Sequence, residues 1–221
     1  GLKALGVKPG DEVITQSFNF IATIEAILDV GAIPRIANVD KSLNMDPEEI
    51  EPLINKKTKV ILPVHMLGVS AEIKNIFQIA KKYKIKVLED NCESIGAKFS
   101  NKYLGTLSDI GCFSLSIAKL ISTGQGGMVV TRDKEIYEKL KLVRNHGVVD
   151  NFTDAWNHMG FNFKFTDLLS SFGLVQLGKA PERINHVTEI YKKYQPVLDE
   201  LPYLDLIPVN LFSTISNLPI P

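Results

Sequence analysis

The sequence predicts an α/β fold: a mostly parallel sheet flanked by helices, in three layers. Two observations carry that prediction. Short apolar runs of strand length alternate with longer segments of helical period. Each intervening segment is also long enough to return the chain beside the strand it left, which parallel pairing requires. Composition permits such a fold, since 45% of the 221 residues are hydrophobic and 23% charged, enough to fill a core. The 25 Lys+Arg balance 25 Asp+Glu, which removes the basic surface that nucleic-acid binding would need.

The first strand is expected at residues 12–15 and a helix at 21–30, followed by a strand at 33–37 and a helix at 46–54. A strand at 59–63 leads to a helix at 71–83, whose sequence AEIKNIFQIAKKY spaces apolar residues three and four apart. The run at 86–89 is the next strand, and two further apolar runs, 111–116 and 128–131, precede a helix at 134–144. A loop rich in Asn, His and Gly, 145–162, separates this part from a long helical stretch, 166–201. The chain therefore divides into an α/β unit, 1–165, and a helical extension, 166–221, that begins a further domain. Residues 202–221 carry four prolines and suit no packed element. The opening GLKALGV reads as the end of an amphipathic helix whose start is missing, so a fragment is expected.

Cys92 and Cys112 are too few for a disulfide scaffold, and four scattered His supply no set of metal ligands, so a reducing compartment and no metal are expected. No apolar run reaches the roughly 18–20 residues of a membrane helix, and the first residues lack a signal peptide's pattern. The expected location is the cytoplasm, away from the membrane.

In a parallel α/β sheet, ligands bind beyond the carboxyl ends of the strands, so polar residues just after a strand are the first candidates. Asp90 ends the run KVLED and precedes Asn91, Cys92, Glu93 and Ser94. Alone, such a carboxylate more often satisfies a turn N–H. Lys119 is the only charge in the stretch CFSLSIAKLI, where partial desolvation favours a neutral, nucleophilic amine; snorkelling to solvent is the alternative. Ser114 could offer a hydroxyl at a strand end as a phosphate ligand, and Gly124, Gly126 and Gly127 would let the backbone turn closely around a bound group. This glycine cluster precedes a strand, so it is not the dinucleotide fingerprint. His65, His146, His158 and His186 have no evident acid–base partner in sequence and are expected in structural or surface roles. Trp156 is expected in a core, and Lys81, Lys82 and Lys84 on a solvated helix end.

Taken together, the runs GDEVI (10–14), SFNFIAT (17–23), PVH (63–65), Glu89-Asp90, Phe113-Ser114 with Lys119, Gly126-Gly127, RNHG (144–147) and GFNFK (160–164) with Asp167 resemble the DegT/StrS family of sugar aminotransferases. Their order and spacing match across roughly residues 1–200. The resemblance implies the fold type I aminotransferase scaffold and pyridoxal 5′-phosphate, with residues 1–165 as the cofactor-binding domain. It implies that Lys119 bonds the cofactor and carries the proton, and that Asp90 lies beneath the pyridine nitrogen and keeps it protonated, which makes the ring an electron sink. It places Phe20 on the ring face, Ser114 on the phosphate and Glu93 near the ring hydroxyl. Asn162 matches an asparagine that reaches the phosphate of a neighbouring subunit, which implies a homodimer. Glu93 and the run TGQGGM (123–128) incline the substrate towards a nucleotide-linked 4-keto-6-deoxyhexose, aminated from glutamate for surface polysaccharide. Lys119 argues against the related dehydratases, which have His there. The resemblance also implies a phosphate-binding turn ahead of Gly1 and a C-terminal domain beyond Pro221. The rivals are a non-catalytic module of the same fold and, more weakly, a nucleotide-binding oxidoreductase.

Overall fold

Six short segments pair edge to edge: Glu12–Gln16 (β1), Ile33–Ala37 (β2), Thr58–Leu62 (β3), Lys86–Asp90 (β4), Ile110–Ser114 (β7) and Gly127–Val130 (β8). A computed structural model places them in the order β2-β1-β3-β4-β7-β8 and describes residues 1–150, 152, 155–203, 207 and 213–214. All neighbours are parallel except β7 and β8, which run antiparallel. The predicted mostly parallel sheet is thus observed.

Successive side chains of a strand point to opposite faces, so each buried strand feeds two cores. On one face Val13, Val60, Leu62 and Leu88 pack with Ile27 of the helix Ile21–Asp29 (α1) and Ile136 of Lys134–Arg144 (α3). On the other, Ile14, Ile61 and Val87 pack with Met45, Ile50 and with Ile76 and Ala80 of Ile73–Tyr83 (α2). Three layers result. Each fully buried Ile, Leu or Val contributes about 1.5–3 kcal/mol relative to exposure. The helices are punctuated by their own sequences: Asp133 caps α3 by accepting from the N–H groups of Glu135 and Ile136, and α2 ends at Lys84 in a left-handed conformation.

Two elements differ from expectation. Residues 46–54 form two 3₁₀ turns, Pro47–Glu49 and Glu51–Leu53, instead of a helix. Pro52 has no N–H to give and its ring opposes the carbonyl a turn earlier, which costs an α-helix at that position about 3 kcal/mol or more. The stretch 166–201 is two helices, Asp167–Gly178 (α4) and Ala180–Asp199 (α5), meeting at Lys179. Pro181 is tolerated in the first turn of a helix but not in the interior of one continuing from α4.

A small antiparallel sheet unread in the sequence joins Lys98–Phe99 (β5) to Lys102–Tyr103 (β6) and to Ser213–Thr214 (β9). Ser100 and Asn101 turn the hairpin with φ of 48° and 63°. Two-residue strands leave no periodicity to detect. The rest of 204–221 lies outside the described residues, apart from residue 207. Among the described residues no helix is long and apolar enough to cross a membrane.

Because β1, β3, β4 and β7 are parallel, their carboxyl ends share one edge of the sheet, where Gln16, Pro63, Asp90 and Ser114 lie.

Candidate active site

Asp90 closes β4 on the same face as Leu88, the side covered by α1. One oxygen, Oδ2, accepts from the Thr23 hydroxyl at 2.9 Å and the other, Oδ1, from the Cys92 N–H at 3.0 Å. Thr23 is buried in the first turn of α1. Three residues earlier, Phe20 begins that helix with its ring 69% exposed. The segment 17–23 therefore presents an aromatic ring at the edge of the sheet and fixes the carboxylate that ends β4.

Lys119 lies in the connection between β7 and β8. Its N–H donates to the Ser116 carbonyl, and its side chain, 23% exposed, places Nζ 4.0 Å from Oε1 of Glu93. The other oxygen of Glu93, Oε2, accepts from the N–H of Leu67 at 3.1 Å. Leu67 holds a left-handed φ of 54° in the turn Met66–Gly68. That conformation costs a leucine free energy that the surroundings must offset. Cys92 lies within electrostatic reach of both Asp90 and Lys119: burial pushes its thiol well up, the Asp90 charge and hydrogen bond add to this, and Lys119 opposes. The Asp90 carboxylate at the end of β4 and the Lys119 amine of the β7–β8 connection thus act with opposite sign on the Cys92 thiol.

Ser114, the last residue of β7, accepts from the N–H of Ser116 at 3.2 Å. Asn162 is exposed and forms an isolated backbone bridge with Asn145. None of its hydrogen bonds among the described residues reaches Asp90, Glu93 or Lys119. Trp156, expected in a core, is mostly exposed and meets His146 edge-on with ring centroids 6.2 Å apart. It stands in a loop without apolar periodicity, which offers it no packed face.

Sequence reasoning passed over Glu89, which turns away from Asp90 to the opposite face of β4. Its fully buried carboxylate accepts from the N–H groups of Gly105, Leu107 and Ser108, from the Ser108 hydroxyl at 2.8 Å and from His65 Nε2 at 3.1 Å. His65 Nδ1 accepts from the Ala71 N–H, which assigns the ring proton to Nε2 and makes it the donor to Glu89. Burial pushes the Glu89 carboxyl up, but the hydrogen bond and electrostatic attraction of His65 and the Gly105 and Ser108 bonds outweigh it, so it stays below the usual carboxylate range. Gly105, at φ +80°, sits where a Cβ would collide with Phe113 and Asn91. The signal available in the sequence was a charge directly after the apolar pair Val87-Leu88. Thr23 and Leu67 carried no comparable signal, because their partners lie far along the chain.

The DegT/DnrJ/EryC1/StrS aminotransferase family description matches residues 1–216. The chain is 34% identical over 201 residues to the GDP-perosamine synthase of Caulobacter vibrioides, covering 90% of this chain and 54% of that protein. It is 46% identical over 148 residues to a UDP-N-acetyl-3-dehydro-alpha-D-glucosamine 3-aminotransferase of Acidithiobacillus ferrooxidans, covering 66% of this chain and 40% of that protein. Its fold superposes on Spr1654 from Streptococcus pneumoniae in its PLP-form with a TM-score of 0.90 at 25% identity, covering 98% of this chain and 61% of that one. The chain spans about half the length of the curated relatives it matches.

Proposed function

The chain belongs to the DegT/DnrJ/EryC1/StrS aminotransferase family, and from that premise we propose that it carries the cofactor-binding part of a pyridoxal 5′-phosphate-dependent enzyme that moves an amino group from glutamate to a nucleotide-linked keto sugar. The acceptor proposed is a 4-keto-6-deoxyhexose, for surface polysaccharide. The activities for which the two enzyme relatives are named support a sugar nucleotide as substrate, and support catalysis over a non-catalytic module. The single observation that carries the reading is the approach of the Lys119 amine to within 4.0 Å of Glu93, in the segment that follows Asp90 at the carboxyl end of β4.

The donor set fits the cofactor. A carboxylate suits a protonated ring nitrogen, an exposed aromatic a ring face, a strand-end hydroxyl a phosphate and an amine an aldehyde. Asp90 would hold the nitrogen, with Thr23 and the Cys92 N–H fixing its carboxylate; Phe20 would cover the ring, Ser114 would take a phosphate oxygen and Glu93 would lie at the ring hydroxyl. When bound, the cofactor supplies an electron sink for the charge left on the substrate carbon as a proton leaves. Lys119 Nζ takes that proton from the donor and returns one to the acceptor's carbon. General acid–base work of this kind contributes about 10²–10⁴ in rate. Glu93, with Oε1 4.0 Å from Nζ, would help hold the amine in place.

A homodimer is part of the proposal. No residue of α4 is buried, and Leu168, Phe172, Leu174, Val175 and Leu177 lie open on it. A helix apolar on all sides calls for cover, and a second copy bringing Asn162 to the first copy's phosphate site would provide it.

The test is turnover: with pyridoxal 5′-phosphate, glutamate and a nucleotide-linked 4-keto-6-deoxyhexose, the full-length protein should form the 4-amino sugar, seen as a mass change. Amination of a 3-keto sugar alone would overturn the substrate assignment. Absence of any amino transfer would overturn the enzyme reading.

A further inference from the structure

Three contacts fasten the Lys119-bearing connection, residues 115–126, to Phe165 and to the two helices that follow it. Phe165 closes against Gly126, whose φ of +133° and missing Cβ admit the ring. Gly173 of α4 faces the buried Thr123 so closely that a Cβ there would stand 3.2 Å from its Cγ2. From α5, Nη1 of Arg183 donates to the Leu120 carbonyl at 2.9 Å and also to Oε1 of Gln176 on α4. Arg183 is half-buried, and among the described residues it forms no ion pair with a carboxylate. A guanidinium that directs its donors to a backbone carbonyl and a neutral amide sets geometry more than it balances charge. The carbonyl it holds belongs to the residue next to Lys119.

We propose that Arg183 is a positioning residue for Lys119, locking the β7–β8 connection to the α4–α5 hairpin so that the place of the lysine amine depends on that hairpin being docked. The connection has internal bonds of its own, Lys119 N–H to Ser116 and Thr123 N–H to Leu115, which keep its local shape. Those bonds do not fix it against the rest of the molecule; the Arg183 bond does. The role assigned to Arg183 rests on the reading of Lys119 as the amine that bonds the cofactor.

The experiment is hydrogen exchange on the full-length protein with Arg183→Met, which keeps the aliphatic stem and helix propensity and removes the donors. Amides of residues 116–124 should exchange about tenfold faster while those of β1, β3 and β4 are unchanged. Binding of pyridoxal 5′-phosphate, followed by its visible absorbance, should weaken about tenfold, and Arg183→Lys should recover part of both effects. Unchanged exchange in 116–124, or equal acceleration in β1, β3 and β4, would overturn the proposal, the second because it marks a general loss of stability. Should Arg183→Met fail to fold, Gln176→Ala frees one side of the guanidinium and should give the same local acceleration at roughly two- to threefold; none would overturn it. Borohydride labelling of the unaltered protein separates the two readings. Label away from Lys119 removes the functional premise, whereas label on Lys119 with unchanged exchange in the variant removes the Arg183 clamp alone.

Discussion

Glu89 and Asp90 are neighbours on β4 with the same functional group, and the sheet sends them into opposite surroundings. Glu89 faces a closed interior where five donors meet it; Asp90 faces the edge, where the Thr23 hydroxyl and the N–H and thiol of Cys92 meet it. The first arrangement consumes the carboxylate's acceptor capacity in holding the 104–108 turn and the His65 segment together. The second fixes the carboxylate's direction while leaving it able to meet a further cation. Two oxygens one residue apart can thus serve stability and chemistry separately, because strand alternation keeps them on different faces.

The largest effect should come from removing the closed side. Glu89→Leu strands His65 Nε2 and three backbone N–H groups, a loss of about 3–5 kcal/mol in urea unfolding. A loss under about 1 kcal/mol would erase the contrast between the two carboxylates. Acid should expose the same difference. The folded state holds the Glu89 carboxyl below its ordinary value of 4.5, so its contribution is present above that pH and fades as pH falls through the folded value. The melting temperature of the unaltered protein should therefore fall more steeply below pH 4.5 than that of Glu89→Gln; parallel curves would contradict this. The smallest effect belongs to the open side. Thr23→Val keeps shape and removes one bond to Asp90, and should weaken pyridoxal 5′-phosphate binding roughly tenfold, as expected for a charge-assisted bond of about 1.5 kcal/mol, with folding stability within about 1 kcal/mol. A stability loss without weaker binding would place Thr23 with Glu89 in the supporting interior.

The contrast also explains what the sequence made legible. Short apolar runs located the six strands of the main sheet, because β-strand residues that pack against helices are written in apolar residue types. Asp90 stood out as a carboxylate at the end of a strand and Lys119 as a lone charge within an apolar and hydroxylic stretch. Glu89 was legible in the same way but was absorbed into its strand, because a charge fully met by backbone donors leaves no partner in the sequence to pair it with. The 46–54 segment misled because its apolar spacing suits a helix while Pro52 disfavours one. The Arg183 bond to Leu120 spans 63 positions and involves a main-chain carbonyl, a group every residue has, so no sequence pattern could announce it.

The central claim is that one amine and one acid share a site for a flat, phosphorylated ring, and borohydride reduction tests it most directly. After incubation with pyridoxal 5′-phosphate and reduction, peptide mass mapping should find the added mass on Lys119, and Asp90→Ala should sharply reduce it. Label spread over exposed lysines such as Lys81 and Lys82, or unchanged by Asp90→Ala, would contradict the account.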